Sequence, residues 1–167
     1  GFHLNTGFLS TYELLHVLTD YGHGDTAWKL MLQDAYPGWL YQLKYDATTV
    51  WENWKGMEAG REPKDSMNHY SFGTFAGWLM DRAAGIRVEK GKIRIQPYPD
   101  RQIGYVKASY DSPFGKIKSS WEYEGENCRI KVEIPANAHA EILLPDGSCH
   151  EADYGKYEYV IMENKHE

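Results

Sequence analysis

The stretch "SFGTFAGWLMDRAAGIRVEKGKIRI", residues 71–95, changes its hydrophobic period halfway along, and that change decides the fold. Phe72, Phe75, Ala76, Leu79 and Ala83 recur at steps of three and four, the spacing of one helix face. Gly85 stands where a helix-ending C′ glycine belongs. "RVEKGK" is polar, and after it "KIRIQ" alternates apolar with polar residues in the period of a strand. Helix is therefore expected up to about Arg87 and strand from about Val88.

Toward the C-terminus the period of two persists. "KIKSSWEY" (116–123) alternates Ile117, Ser119, Trp121 and Tyr123 with polar residues. "CRIKVEI" (128–134) sets Cys128, Ile130, Val132 and Ile134 against Arg129, Lys131 and Glu133. "YVKASY", "AEILL" and "YEYVIM" add strands, with "EGEN" and "PDG" as turns. Short strands at this spacing predict an antiparallel β-sandwich.

Toward the N-terminus the pattern is helical. "LSTYEL" (9–14) has Ser10 as N-cap, Glu13 as its capping-box partner, and Leu9 with Leu14 as a hydrophobic staple. The helix it opens carries Tyr12, Leu15 and Leu18 on one face and Leu14 and Val17 on another, which predicts burial on more than one side. Asp25 is placed to cap a second helix reaching Leu32, and Pro37 to open a short third one, "PGWLYQL". Residues 44–70 fit neither period. A loop that long in a compact domain is usually functional or disordered; its aromatic half argues for function, and "EAGREPKDS" reads as solvated. The division expected is residues 1–88, helical, and 89–167, β. Helices so apolar need partners: the β half, a second copy of the chain, or a helical domain upstream.

The chain has 167 residues and a formal net charge of −6, with no basic run, so neither nucleic acid nor an anionic membrane is an expected partner. No apolar run approaches the roughly 20 residues of a membrane span. The first residue is Gly1 rather than Met, which leaves room for a longer parent with its own leader. Cys128 and Cys149 have no metal-ligand spacing and are expected to be free thiols in a reducing compartment, which favours a cytoplasmic parent. His3, His16 and His23 form no ligand pattern, so no metal and no cofactor is expected. Five of the six tryptophans lie in the first half, where indoles suit both a core and the face of a sugar ring.

"TTVWENW" (48–54) puts Glu52 between Trp51 and Trp54. Read locally, Glu52 is a solvated loop carboxylate, with Asp46 and Asp65 as nearby competitors; Trp51 and Trp54 read equally as cleft wall or core. His69, at a helix start, reads as structural or capping.

Three motifs change the reading. "ATTVWENW" (47–54), "MNHYSFG" (67–73) and "SYDSPFGKI" (109–117), in this order across a helix-to-strand switch, resemble the C-terminal portion of the bacterial and fungal α-L-rhamnosidases. The likeness runs over roughly residues 5 to 145. It implies the last helices of an (α/α)6 six-hairpin barrel followed by a β-sandwich. It also implies hydrolysis of terminal α-linked L-rhamnose with inversion, using two carboxylates and no metal. On this resemblance Glu52 falls on the general base and His69 on a histidine that helps bind rhamnose, with Trp51 and Trp54 as substrate-binding neighbours.

The implied chemistry suits these residue types. An inverting glycosidase needs one carboxylate to activate water and a second, roughly 6.5–9.5 Å away, to protonate the leaving oxygen. The second carboxylate falls upstream in the family, outside this sequence, so the chain alone is expected to be inactive. Its expected partner is a rhamnose-containing glycoside or oligosaccharide, with the missing barrel or a second copy covering the helices. The competing readings are a non-catalytic carbohydrate-binding or structural module, and an inverting glycosidase of the same fold acting on another sugar.

Overall fold

The structure, a computed structural model, describes residues 3–56 and 65–162. Most of the segment "EAGREPKDS", expected from sequence to be solvated, lies outside the described residues. The chain divides into two compact units, Gly1–Trp78 and Leu79–Glu167.

In the first unit, α1 (Phe8–Asp20) starts earlier than the capping motif predicts. Its cap is Gly7, with no side-chain cap bond, and Ser10 lies inside the first turn. Thr11 organises that turn instead: its backbone N–H and its hydroxyl both donate to the Gly7 carbonyl, at 3.0 and 2.8 Å. Leu9 is 91% exposed, so no staple forms. Nor is α1 buried on several sides: Thr11 and Leu15 alone are buried, while Tyr12 and Val17 are exposed. The second helix, α2 (Gly24–Met31), is capped at His23; Asp25 sits in its first turn, bonded to Lys29 at 3.1 Å. Pro37, after a cis peptide bond, precedes a 3-10 turn, Leu40–Tyr45, rather than opening an α-helix.

The core of this unit is aromatic. Trp28 and Trp78 meet edge to face at 4.8 Å, both fully buried, and the Trp78 indole N–H donates to Thr19 Oγ1 at 2.8 Å. Burying the Trp78 indole removes a large apolar area from water while its N–H keeps a partner.

The helix expected across Phe72–Ala83 is three windings in series: a 3-10 turn (Ser71–Thr74), α3 (Phe75–Trp78) and a π turn (Leu79–Ala83). The π turn belongs to the second unit, and its wide loop closes with Ala84 N–H on the Leu79 carbonyl at 2.9 Å. The last carbonyls of a helix have no partner within it. Two are taken from β4 (Gly115–Glu124): Trp121 Nε1–H donates to Ala83 at 2.7 Å and the Ser119 hydroxyl to Ala84 at 2.6 Å, all buried. Gly85 follows at φ +78, where a Cβ would stand 2.2 Å from the Pro97 nitrogen. Only glycine fits that turn.

The rest of the second unit is two four-stranded sheets. One contains β1 (Ile86–Glu89), β2 (Lys92–Ile95), β6 (Ala140–Leu143) and β7 (Cys149–Ala152). The other runs β3 (Tyr105–Ser112), β4, β5 (Asn127–Ile134) and β8 (Gly155–Met162). The second sheet is antiparallel throughout, as expected. The first departs from that expectation at one pair: β2 and β6 run parallel, with Ile93 opposite Ala140 and Ile95 opposite Ile142. Three strands of the other sheet intervene between them, and a long crossover of this kind is what a parallel pair requires.

The alternation read from sequence is the core. Cys128, Ile130, Val132 and Ile134 of β5 and Ile117, Ser119 and Trp121 of β4 are buried, with Ile86, Ile93, Ile95 and Ile142 from the first sheet. Strand β7 escapes the periodicity because three of its four residues are exposed. Cys128 is buried and Cys149 exposed, both unbridged.

Candidate active site

The loop of residues 46–56 is held against residues 65–69 by backbone pairing. Glu52 N–H donates to the Ser66 carbonyl at 3.0 Å, and His69 N–H donates to the Val50 carbonyl at 2.8 Å. The Thr49 hydroxyl donates to the Met67 carbonyl, and Asn53 Nδ2 to Asp65 Oδ2 at 3.0 Å. These contacts bring Glu52 and His69, seventeen positions apart in sequence, onto two adjoining stretches of backbone.

The Glu52 carboxylate is half-buried, and its Oε2 accepts the Ser66 N–H at 3.1 Å. Ser66 is itself fixed: its hydroxyl donates to the Asn68 carbonyl at 2.9 Å and accepts the Asn68 N–H at 3.2 Å. One carboxylate oxygen thus has a protein donor. A carboxylate oriented in this manner is equipped to accept a proton from a bound water.

The two tryptophans lie beneath this loop. Trp51 is 2% exposed, and its backbone N–H donates to Gln42 Oε1 at 3.2 Å. Gly56 rests on the Trp51 ring so closely that a Cβ would stand 1.8 Å from Cε3. Trp54 is 8% exposed, stacks on Phe72 at 4.0 Å, and donates its indole N–H to the Thr6 carbonyl at 3.0 Å. Trp39 crosses Trp54 at 5.5 Å and donates its own indole N–H to the Phe72 carbonyl at 2.7 Å. These aromatic contacts join α1's approach, the 3-10 turns and the Glu52 loop into one packed block.

His69 is half-buried. Its Nδ1 accepts the Ser71 N–H at 3.3 Å, and its ring stacks on Phe8 and on Tyr70. Of the two competing carboxylates, Asp65 is exposed and paired with Asn53, and Asp46 is exposed in a left-handed turn at φ 54. Sequence reading missed Gln42, Ser66, Phe8 and Tyr70. Gln42 gave no signal, since a buried amide at 3% exposure looks in sequence like any surface glutamine.

A cleft of about 640 Å³ lies on the β unit, among Arg87, Lys90, Arg94, His139, Glu141 and Glu151. Within it Arg94 pairs with Glu141 and His139 with Glu151, and its lining includes neither Glu52 nor His69. Among the described residues no helix is long and apolar enough to cross a membrane, and no group of three or more His, Cys, Asp or Glu is arranged to hold a metal ion.

Comparison with known proteins covers nearly the same span. Residues 1–83 match the bacterial α-L-rhamnosidase six-hairpin glycosidase domain, and residues 91–157 match the bacterial α-L-rhamnosidase C-terminal domain. An α-L-rhamnosidase of Formosa agariphila is 37% identical over 150 residues, which is 86% of this chain and 16% of that protein. The crystal structure of Streptomyces avermitilis α-L-rhamnosidase complexed with L-rhamnose aligns with a TM-score of 0.88 at 29% identity, over 96% of this chain and 18% of the other. The native α-L-rhamnosidase of Aspergillus terreus aligns at 0.90 and 28% identity, over 95% of this chain and 20% of the other. The chain therefore spans about a sixth to a fifth of the length of these relatives.

Proposed function

The chain belongs to the bacterial α-L-rhamnosidase family, matching the end of its six-hairpin domain and its C-terminal domain, and from that premise we propose that it supplies the general base of an inverting α-L-rhamnosidase. Glu52 is the base: it takes a proton from the water that attacks the anomeric carbon of a terminal α-L-rhamnose. His69 is a sugar contact. Trp51 and Trp54 hold the loop from below; their rings are largely covered, so any sugar contact through them is at a ring edge. The division at residues 88 and 89 belongs to the same proposal, falling between the two family matches.

The observation that supports the reading is the backbone pairing that joins the segments carrying Glu52 and His69, with the Ser66 N–H bonded to the Glu52 carboxylate. The general acid comes from the remainder of the parent enzyme. Inversion demands a gap of roughly 6.5–9.5 Å between the two carboxylates so that a water fits. Proton donation to the leaving group contributes a factor of about 10²–10⁴. This chain, with the base and without the acid, is accordingly inactive by itself.

The test compares the isolated chain with a protein that joins it to a complete six-hairpin barrel, using an aryl α-L-rhamnoside and following the anomer released. Turnover confined to the joined protein, with β-L-rhamnose formed first, supports the proposal. Release of the α-anomer rejects inversion. Rhamnose binding by the joined protein without any turnover rejects the enzyme and leaves a carbohydrate-binding module.

A further inference from the structure

The Nδ1 atom of His69 lies 3.3 Å from the Ser71 backbone nitrogen. A backbone N–H only donates, so Nδ1 must present its lone pair, and a neutral imidazole then carries its proton on Nε2. Turning the ring over would set a carbon against the Ser71 N–H and lose that bond. Two aromatic rings oppose such a turn. His69 stacks on Phe8 with centroids 4.9 Å apart and planes 18° apart, and on Tyr70 at 5.0 Å and 15°. Phe8 is itself braced edge-on by Phe72 at 5.0 Å. The backbone of His69 is anchored as well, through its N–H on Val50.

Resting on the reading of His69 as a sugar contact, we infer that Phe8, Tyr70 and the Ser71 N–H are positioning groups that preset His69 as an Nε2–H donor to a sugar oxygen. The ring enters the encounter with one orientation and one proton position. An oxygen acceptor on the sugar is therefore matched, and a hydroxyl that can only donate at that point is not. Holding a donor in place before the ligand arrives lowers the ordering cost of binding.

A long-range proton–nitrogen correlation spectrum of the full chain at about pH 9, above the ordinary histidine range, reads the tautomer directly. The expected pattern is a protonated nitrogen at Nε2 and an unprotonated one at Nδ1. A proton on Nδ1, or averaged shifts at both nitrogens, overturns the inference. Tyr70→Leu is expected to weaken the preference and Tyr70→Phe to restore it; an unchanged pattern in Tyr70→Leu rejects the role of Tyr70.

In a rhamnosidase containing this chain, Tyr70→Leu is expected to raise KM about two- to tenfold, the worth of one neutral hydrogen bond, with kcat held. A fall in kcat at constant KM overturns the positioning role. The two levels separate cleanly. A set tautomer with a KM indifferent to His69→Ala rejects the sugar contact and the donor role with it. A KM that depends on His69 while the ring averages rejects only the positioning.

Discussion

Glu52 and Ser66 hold each other twice: the Glu52 N–H reaches the Ser66 carbonyl at 3.0 Å, and the Ser66 N–H returns to Glu52 Oε2 at 3.1 Å. Main chain and side chain of the proposed base are tied to the same residue. Turning the carboxylate away would cost it the Ser66 N–H, while the main-chain bond keeps the two segments together.

That link sets the first prediction. Glu52→Gln retains an oxygen for the Ser66 N–H, so the fold persists while the base is lost. In a rhamnosidase containing this chain, kcat should fall about 10²–10⁴-fold with an unchanged melting temperature. Near-wild-type turnover would reject the base assignment.

Gly56→Ala tests the floor of the loop. Gly56 has φ +43, and a Cβ would stand 1.8 Å from Trp51 Cε3, so either the ring or the loop must move. The strained backbone alone costs about 1–3 kcal/mol, and displacement of a buried indole adds to it. Urea unfolding should show this loss together with a changed tryptophan emission; wild-type stability would mean that the loop relaxes freely.

Ser119→Ala and Trp121→Phe test the carbonyls at the end of the π turn. Each variant strands a buried acceptor, Ala84 or Ala83, now satisfied at 2.6 and 2.7 Å. An unsatisfied buried group costs about 1–3 kcal/mol, so both should lower stability by that order. Chemical denaturation of the chain measures it. A loss below the experimental error in both would show that the carbonyls find other partners.

His139 predicts a pH dependence. Its Nδ1 lies 2.9 Å from Asp153 and its Nε2 2.7 Å from Glu151, and both nitrogens donate only in the imidazolium. The hydrogen bonds to Asp153 and then Glu151 hold its pKa above the ordinary 6.5. The folded state therefore binds more protons than the unfolded one between 6.5 and the raised value. The contribution is complete below that window and disappears as pH rises through it. His139→Gln should flatten the slope of stability against pH there. The site is exposed, so the effect is small and salt-sensitive; an identical slope in the variant rejects it.

Much of the fold is legible in order along the chain. The alternation of β4 and β5 identifies their buried residues one by one, because each side chain's face follows from its neighbours two positions away. The same logic failed where the determining partner is distant or absent. Ser10 has the residues of a cap, yet Thr11 and Gly7 start α1. The Phe72–Ala83 face has helical spacing, yet spacing does not distinguish a 3-10, an α and a π winding in series. Strand β7 lacks the alternation that would have marked it.

For the site, residue types and motif order singled out Glu52 and His69, while only the folded chain supplied their setting. The sequence by itself determined the switch from helix to strand, the buried faces of the long strands and the family resemblance, all of which depend on residues close together or on motifs in order. Tertiary structure decided that Ser66 orients Glu52, that Gln42 takes the Trp51 N–H, that β2 pairs in parallel with β6, and that Trp121 reaches Ala83. The reason is physical: periodicity records which way a side chain points, whereas a hydrogen-bond partner is chosen by how distant segments of chain close on one another.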